Sequence, residues 1–344
     1  MRNRRTPLHG PPGSPRGDAC LPRRIRVFPL LLLACVLPVL LSGCALGAAA
    51  GQSGGSGRAD DGTLVIGYKA NGPLAAVKML GAADRRLAAL GVEASWRPYD
   101  DDASLARALL AGEADFGSVG DAAFAFAYAK EEGRPLYLWA VEPANPRAYA
   151  IIAKPESGIA GPADLQGRRV AYPPGSNEHY LLLAKLRQAG LSADDIAAAP
   201  METKRLVRSF QEGEADAWAV SQPELSRLDP DEYRIVADGE GLAGNREIYV
   251  SAWGNDRKDA LGALLEEIDV LSGWIETDIH KAAELLTTQT DLSHLEWLSV
   301  FDSKTYGSAP PLDGIVREQQ ELADALASLG ARTESFDVRE LLME

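Results

Sequence analysis

The 344-residue chain is poor in the side chains that carry covalent and redox chemistry. Its three cysteines are Cys20, Cys35 and Cys44, so no thiol follows position 44 and the bulk of the chain holds neither a disulfide framework nor a cysteine nucleophile. The four histidines show no H-E-x-x-H spacing, and no Walker A string occurs, which removes the usual signatures of zinc hydrolases and nucleotide triphosphatases. Long apolar runs are missing as well: "VFPLLLLACVLPVLL" at 27–41 is too short for an ordinary membrane span. Positive charge is scarce beyond the start. Residues 1–43 take seven of the 35 basic residues and one of the 49 acidic ones, leaving 28 against 48, a formal charge of −20 that argues against a nucleic-acid partner.

What is present begins with that basic start and short apolar run, the layout of a secretory signal peptide. It ends in "LSGC", which resembles the lipobox of bacterial lipoproteins, where small residues precede a cysteine that becomes diacylated; a plain signal anchor is the alternative. On the lipobox reading residues 1–43 are removed, Cys44 carries the lipid, and the Gly/Ser/Ala-rich stretch over 44–62 is a flexible tether. The protein is then expected outside the cytoplasm, anchored by its lipid to the bacterial cell membrane.

The remainder is long enough for two lobes, each with its own core. "TLVIGY" (63–68) reads as a strand followed by the turn "KANG" and a helical stretch ending at Gly91; "RRVAY" (168–172) is followed by "PPGSN" and a helical stretch ending at Gly190. "ASLARALLAGEADFGSV" (103–119) and "KRLVRSFQEGEADAWAV" (204–220) repeat one scheme of helix, glycine stop and strand, and share the string "GEAD". Three landmarks at nearly constant offset favour a true internal repeat over the generic α/β rhythm. Alternation of strand and helix implies mostly parallel sheets covered by helices, with ligands beyond the carboxyl ends of the strands. Helical spacing dominates residues 256–344, which read as helices packing back on the first lobe.

"GSNEHYLLLAKLRQAGL", "GEADFGSVGDAAFAFAYA", "DGEGLAGNREIYVSA" and "YGSAPPLDGIVREQQELADALASLG" together resemble the substrate-binding proteins of ABC importers for aliphatic sulfonates, taurine and nitrate. The likeness runs in order from about 63 to 338. It implies an α/β, type II periplasmic-binding-protein fold, in which two hinged lobes are crossed twice by the chain, here near Ala148 to Ile151 and near Glu247 to Ser251. Lobe 1 would comprise 63–148 and 250–344, and lobe 2 would comprise 149–249. The implied function is extracytoplasmic delivery of a small anionic or zwitterionic solute, an aliphatic sulfonate or taurine, to ABC permease and ATPase components by hinge closure. A monomer with no cofactor, metal or catalytic residue is implied. The alternatives are a ligand-sensing lipoprotein and a binder of nitrate or a thiamine pyrimidine. Enzymes of this fold, a sulfinate desulfinase and a thiamine-pyrimidine synthase, use cysteines, and the mature chain would have none beyond Cys44.

The chain departs from the family pattern at two places expected near the cleft. Asp100, Asp101 and Asp102 stand where a Ser/Gly or Gly/Pro turn is usual, and Ser221, Gln222 and Pro223 stand where "WDP" or "WAP" is common. Asp101 is the carboxylate expected to reach the cleft and meet a cationic group on the ligand; a solvated helix N-terminus is the plainer explanation of all three.

A sulfonate offers three acceptor oxygens, and burying it requires donors. A helix N-terminus supplies several, so the "PPGSN" turn is expected to aim the N–H groups of Asn177, Glu178 and His179, with the Ser176 hydroxyl and the Asn177 amide, into the cleft. Ser176 or Asn177 serves equally as a simple helix cap, and His179 fits turn or ligand. "KANGP" and "VGDAA" offer similar turns, which brings in Asn71, Gly72, Gly120 and Asp121, the last also a cap candidate. Tyr68, Trp218 and Gln222 end strands and fit contacts to an alkyl chain or head group, with Trp218 fitting the core as well. Asn245 is a candidate for hinge or cleft.

Overall fold

The computed structural model describes residues 62–128, 134–288, 290–331 and 334–343. The expected signal peptide, Cys44 and all of the expected tether but Gly62 lie outside the described residues. The first lobe is laid down as strand β1 (Thr63–Lys69), helices α1 (Pro73–Leu80) and α2 (Ala82–Ala89), β2 (Glu93–Tyr99), α3 (Asp102–Ala111), β3 (Phe116–Gly120), α4 (Asp121–Tyr128) and β4 (Tyr137–Val141). The second follows as β5 (Tyr149–Ala153), β6 (Arg169–Tyr172), α5 (Asn177–Gln188), β7 (Ala197–Pro200), α6 (Thr203–Gln211), β8 (Ala217–Ser221) and β9 (Arg234–Asp238). The chain then returns as β10 (Glu247–Ser251) and ends in α7 (Lys258–Thr277), α8 (Ile279–Thr287), α9 (His294–Ser303) and α10 (Asp313–Ser328).

The two sheets have the same plan. Their orders are β2-β1-β3-β10-β4 and β7-β6-β8-β5-β9, so each is built on a central βαβ core and takes in the strand by which the chain arrives from the other lobe. That visiting strand, β10 or β5, pairs antiparallel on both sides, while the other four strands of each sheet share a direction. Four of the five strands in each sheet run one way, as expected, but the reversed strand at each crossing makes two of the four pairings antiparallel, so the sheets are mixed rather than mostly parallel.

The shared "GEAD" string has a structural cause. Asp115 donates its N–H to Val65 O at 2.7 Å and accepts the Val65 N–H on Oδ2 at 2.9 Å; Asp216 does the same with Arg169, at 2.8 and 2.9 Å. Asp115 thus pins β1 to the start of β3, and Asp216 pins β6 to the start of β8. The preceding glycines, Gly112 and Gly213, hold φ of 79° and 74°, the left-handed turn that ends each helix and that a side chain disfavours.

One expectation needs correction. β5 and β10 lie wholly within the sheets they enter, so the crossings precede them, over 142–148 and 239–246, and Glu247 to Tyr249 belong to the first lobe. Five fully buried residues bonded on both sides cannot serve as a hinge. Asn245 sits in the second crossing at φ 64°, unusual for a residue with a side chain, and its N–H-bearing amide reaches Gly239 O and Leu242 O at 3.4 Å. It therefore lies in the segment that crosses between the lobes.

Apolar packing covers both faces of each sheet. Helices α7 to α9 pack on the first lobe, as the sequence suggests, through Leu264, Ile268, Leu286 and Trp297. Helix α10 does more. Leu322 and Leu326 join Ala122 and Phe126 of α4 to Tyr180 and Leu183 of α5, forming a small core between the lobes.

Candidate functional site

Between the lobes, at the carboxyl ends of the parallel strands, lies a cavity of about 210 Å³. Its first-lobe wall is Lys69 to Asn71 after β1, Asp100 to Ala103 after β2, Glu247 at the start of β10, and Val300, Ser303 and Lys304 at the end of α9. Its second-lobe wall is Tyr149, then Pro173, Pro174, Ser176 and Glu178 of the turn into α5, Thr203, and Ser221 to Glu224 with Arg227. Six carboxylates and three cationic side chains line it: Asp100, Asp101, Asp102, Glu178, Glu224 and Glu247 against Lys69, Arg227 and Lys304.

Helix capping orients the acidic turn. Asp101 is the N-cap of α3, accepting the Ser104 N–H on Oδ1 at 2.8 Å while its own N–H reaches Ser104 Oγ at 3.3 Å. This leaves Asp102 on the first turn, where its Oδ1 accepts from Gly120 N–H at 2.7 Å and from Lys69 Nζ at 2.5 Å. Lys69 also donates to Glu247 Oε1 at 2.8 Å, and Ser118 Oγ donates to Glu247 Oε2 at 2.6 Å. Lys304 Nζ stands 3.9 Å from Glu247 Oε1 and 3.9 Å from Glu142 Oε2, and Tyr249 OH donates to Glu142 Oε1 at 2.9 Å.

These groups set one another's charge. Burial pushes Asp102 up to about 6 against the pull of Lys69, and pushes Glu142 up to about 7 against Lys304. Burial also opposes ionised Glu247, yet Lys69 and Lys304 overcome it and hold that carboxyl down at about 2. Lys69 is likewise raised: burial works against its charge, and Asp102 and Glu247 outweigh burial.

On the second-lobe wall Ser176 caps α5, accepting the His179 N–H at 3.1 Å and donating to Pro173 O at 2.8 Å. Helix geometry leaves the N–H groups of Asn177 and Glu178 without an intrahelical acceptor. The Glu178 carboxylate accepts from Ser221 Oγ. Burial raises Glu224 to about 7, with Arg227 pulling the other way. Two contacts join the walls: Asn71 Nδ2 donates to Gln222 O at 3.4 Å, and Arg227 Nε donates to Glu296 Oε1 of α9 at 2.5 Å.

Of the residues expected from sequence, Asn71, Asp101, Ser176 and Gln222 line the cavity. Tyr68, Gly72, Gly120, Asp121, Asn177, His179, Trp218 and Asn245 do not line it. Tyr68 faces away, taking a hydrogen bond from Lys78 at 2.8 Å and packing on Trp96; its neighbour Lys69 faces in. Gly72 is the N-cap of α1. Gly120 lies against Asn177, where an added Cβ would stand 2.3 Å from Oδ1. Asn177 and Asp121 bond each other across the seam between the lobes. His179 is stacked between Phe126 and Tyr172 at 4.9 and 4.6 Å, and takes the Gly175 N–H on Nδ1. Trp218 is fully buried beside Phe210 in the second lobe's core. Sequence reading missed Lys69, Glu224, Glu247 and Lys304. Lys69 had a signal: it is the last residue of β1 and opens the turn that was singled out.

Comparison with known proteins places this geometry in company. The family model "NMT1/THI5 like" matches residues 88–238. A protein of Escherichia coli (strain K12) assigned as an aliphatic sulfonates-binding protein is 31% identical over 258 residues, 73% of this chain and 79% of that one. The taurine-binding periplasmic protein of the same organism is 29% identical over 150 residues, 44% of this chain and 45% of that one. Among solved structures, the alkanesulfonate-binding protein SsuA from Xanthomonas axonopodis pv. citri, bound to MOPS, superposes with a TM-score of 0.73 at 27% identity, covering 83% of this chain and 99% of that one.

Proposed function

From the premise that the chain belongs to the aliphatic-sulfonate-binding protein family, we propose that it is the solute-binding component of an ABC importer, not an enzyme, and that its ligand is a small amino-sulfonate of the taurine kind. The observation that carries the reading is the mixed charge of the cleft. A plain sulfonate needs donors, which Lys304 and the N-terminus of α5 provide. It does not need six surrounding carboxylates, several of which would repel it. A ligand with an ammonium group as well as a sulfonate uses both, the cation facing Asp101, Glu178 and Glu224. MOPS, bound by the Xanthomonas relative, also joins a sulfonate to a basic nitrogen.

The cavity of about 210 Å³ suits a compact solute rather than a drug-sized one. Hinge closure follows physically from a ligand that touches both walls, because only the closed form offers both sets of contacts. Calorimetry of the full chain with taurine, ethanesulfonate, nitrate and a thiamine pyrimidine tests the reading. Taurine is expected to bind most tightly. Binding of the pyrimidine alone would replace it with the second reading, a cationic heterocycle binder, which the acidic lining also favours.

The same proposal includes lipid anchoring at Cys44, supported by the "LSGC" string behind the apolar run. Cys44→Ala is expected to release the protein from the membrane fraction or leave an unprocessed precursor, and unchanged lipid labelling would remove this part.

A further inference from the structure

The first-lobe wall holds two lysines in different states. Lys69 is fully engaged by Asp102 and Glu247. The Lys304 ammonium has only 15% of its side chain exposed, yet makes no hydrogen bond among the described residues. It hangs 3.9 Å from each of two carboxylate oxygens and 5.0 Å above the ring of Tyr306. Behind it Glu142 is completely buried, with Oε2 unpartnered, and the Tyr306 hydroxyl is buried and unpartnered too. Open donors on a nearly buried cation are costly unless something else meets them.

We propose that Lys304 receives the anionic group of the ligand, and that Glu142 takes up a proton as the anion arrives. The inference rests on the solute-binding reading above and deepens it. Lys69, Lys304, Asp102, Glu142 and Glu247 form one buried set with two positive and three negative charges when all are ionised. An incoming sulfonate adds a fourth negative charge and competes with Glu142 for Lys304. A proton on Glu142 removes the conflict, and burial together with the Glu247 carboxylate favours that outcome. Burial and Glu247 oppose its ionisation, while Lys304, the Tyr249 hydroxyl that donates to it and Lys69 favour it; Arg246 meets only the Glu142 backbone carbonyl, and Tyr249 and Tyr306 stay neutral. Glu142 titrates near 7 without ligand, and an anion beside Lys304 moves it higher. Binding then consumes a proton, so affinity falls as pH rises through neutrality.

Calorimetry of the full chain with ethanesulfonate, which does not titrate, and with taurine tests this between pH 6 and 8.5, in buffers of differing ionisation enthalpy. Wild type is expected to take up part of a proton near pH 7.5, with affinity falling toward about tenfold per pH unit above it. Glu142→Gln is expected to flatten that dependence. Lys304→Met alone leaves buried carboxylates uncompensated, so the double variant Lys304→Met/Glu142→Gln, which preserves the net charge of the set, carries the binding test. It should fold and lose at least about thirtyfold in affinity for both sulfonates. Affinity within threefold of wild type in the double variant, or a flat pH profile in wild type, overturns the inference while leaving sulfonate binding in place. Failure of wild type to bind either sulfonate overturns the reading beneath it as well.

Discussion

Asn177 of the second lobe donates through Nδ2 to Oδ1 of Asp121 in the first at 2.9 Å, and both residues are buried. The contact is doubled, because Asn177 Oδ1 accepts the Ala123 N–H at 3.2 Å and Gln319 of α10 donates to Asp121 Oδ2 at 3.0 Å. Two residues that the sequence offers as ligand contacts are therefore engaged with each other, in a seam beside the cleft.

Asn177→Ala should accordingly weaken the fold more than the site. Losing the amide takes the Asn177 acceptor from the Ala123 N–H and one of three donors from the buried Asp121 carboxylate, which keeps the Ala122 N–H and Gln319, a loss of about 1 to 3 kcal/mol. Urea denaturation is expected to show it, with taurine affinity changed by less than about threefold after correction for unfolded protein. A large affinity loss at unchanged stability would return Asn177 to the ligand site.

Gly120 answers to the same seam. A Cβ there would stand 2.3 Å from Asn177 Oδ1 and 2.9 Å from its Cγ, both held in place by hydrogen bonds. Gly120→Ala should therefore push the lobes apart and favour the open form. Small-angle scattering is expected to give a larger radius of gyration without ligand than wild type gives, and taurine should bind more weakly. An unchanged radius with unchanged affinity would mean that the asparagine simply rotates away.

The fold was largely legible because its signals are local: the β1 and β6 runs, the glycine stops, and a repeated aspartate with one repeated structural task. The site was less so. Lys69, Glu247 and Lys304 meet from separate elements, the first two 178 positions apart, and a lone charged residue in sequence resembles a solvated surface. Tyr68 for Lys69 is the error of a strand reading: successive residues face opposite sides, so a slip of one exchanges core for cleft. Asn177 and His179 sit near the expected turn, but the approach of α4 and α10, which no local pattern announces, claims their side chains.

Glu224 yields a pH prediction. Burial raises its carboxyl to about 7 in the folded protein, above the ordinary 4.5. The folded state then binds the proton more tightly than the unfolded one, so this group's contribution is favourable in acid and is lost as pH rises from about 4.5 through 7. Glu224→Gln should match wild type near pH 4 to 5 and be more stable at pH 8, by on the order of 1 to 2 kcal/mol. Thermal or urea unfolding at the two pH values checks it, and a variant less stable at pH 8 than wild type would show that ionised Glu224 is welcome in the cleft without ligand.

The acidic turn decides what kind of sulfonate the cleft accepts. Asp101 lines the cavity while its side chain caps α3, and asparagine caps a helix about as well as aspartate. Asp101→Asn therefore removes a charge while leaving the turn intact, which Asp102→Asn would not do, since Asp102 holds Lys69 and the Gly120 N–H. Glu178→Gln makes the matching change on the opposite wall, where the carboxylate accepts from Ser221. A carboxylate at contact distance is worth about 1 to 4 kcal/mol to a cation, depending on exposure, and works against an anion by a similar amount. Both substitutions should therefore lower affinity for taurine and leave or raise affinity for ethanesulfonate, which lacks the ammonium group. Calorimetry of the two ligands against the two variants gives the comparison directly. Should both ligands respond alike, the carboxylates do not read a cation, and the amino group drops out of the ligand assignment even if sulfonate binding stands.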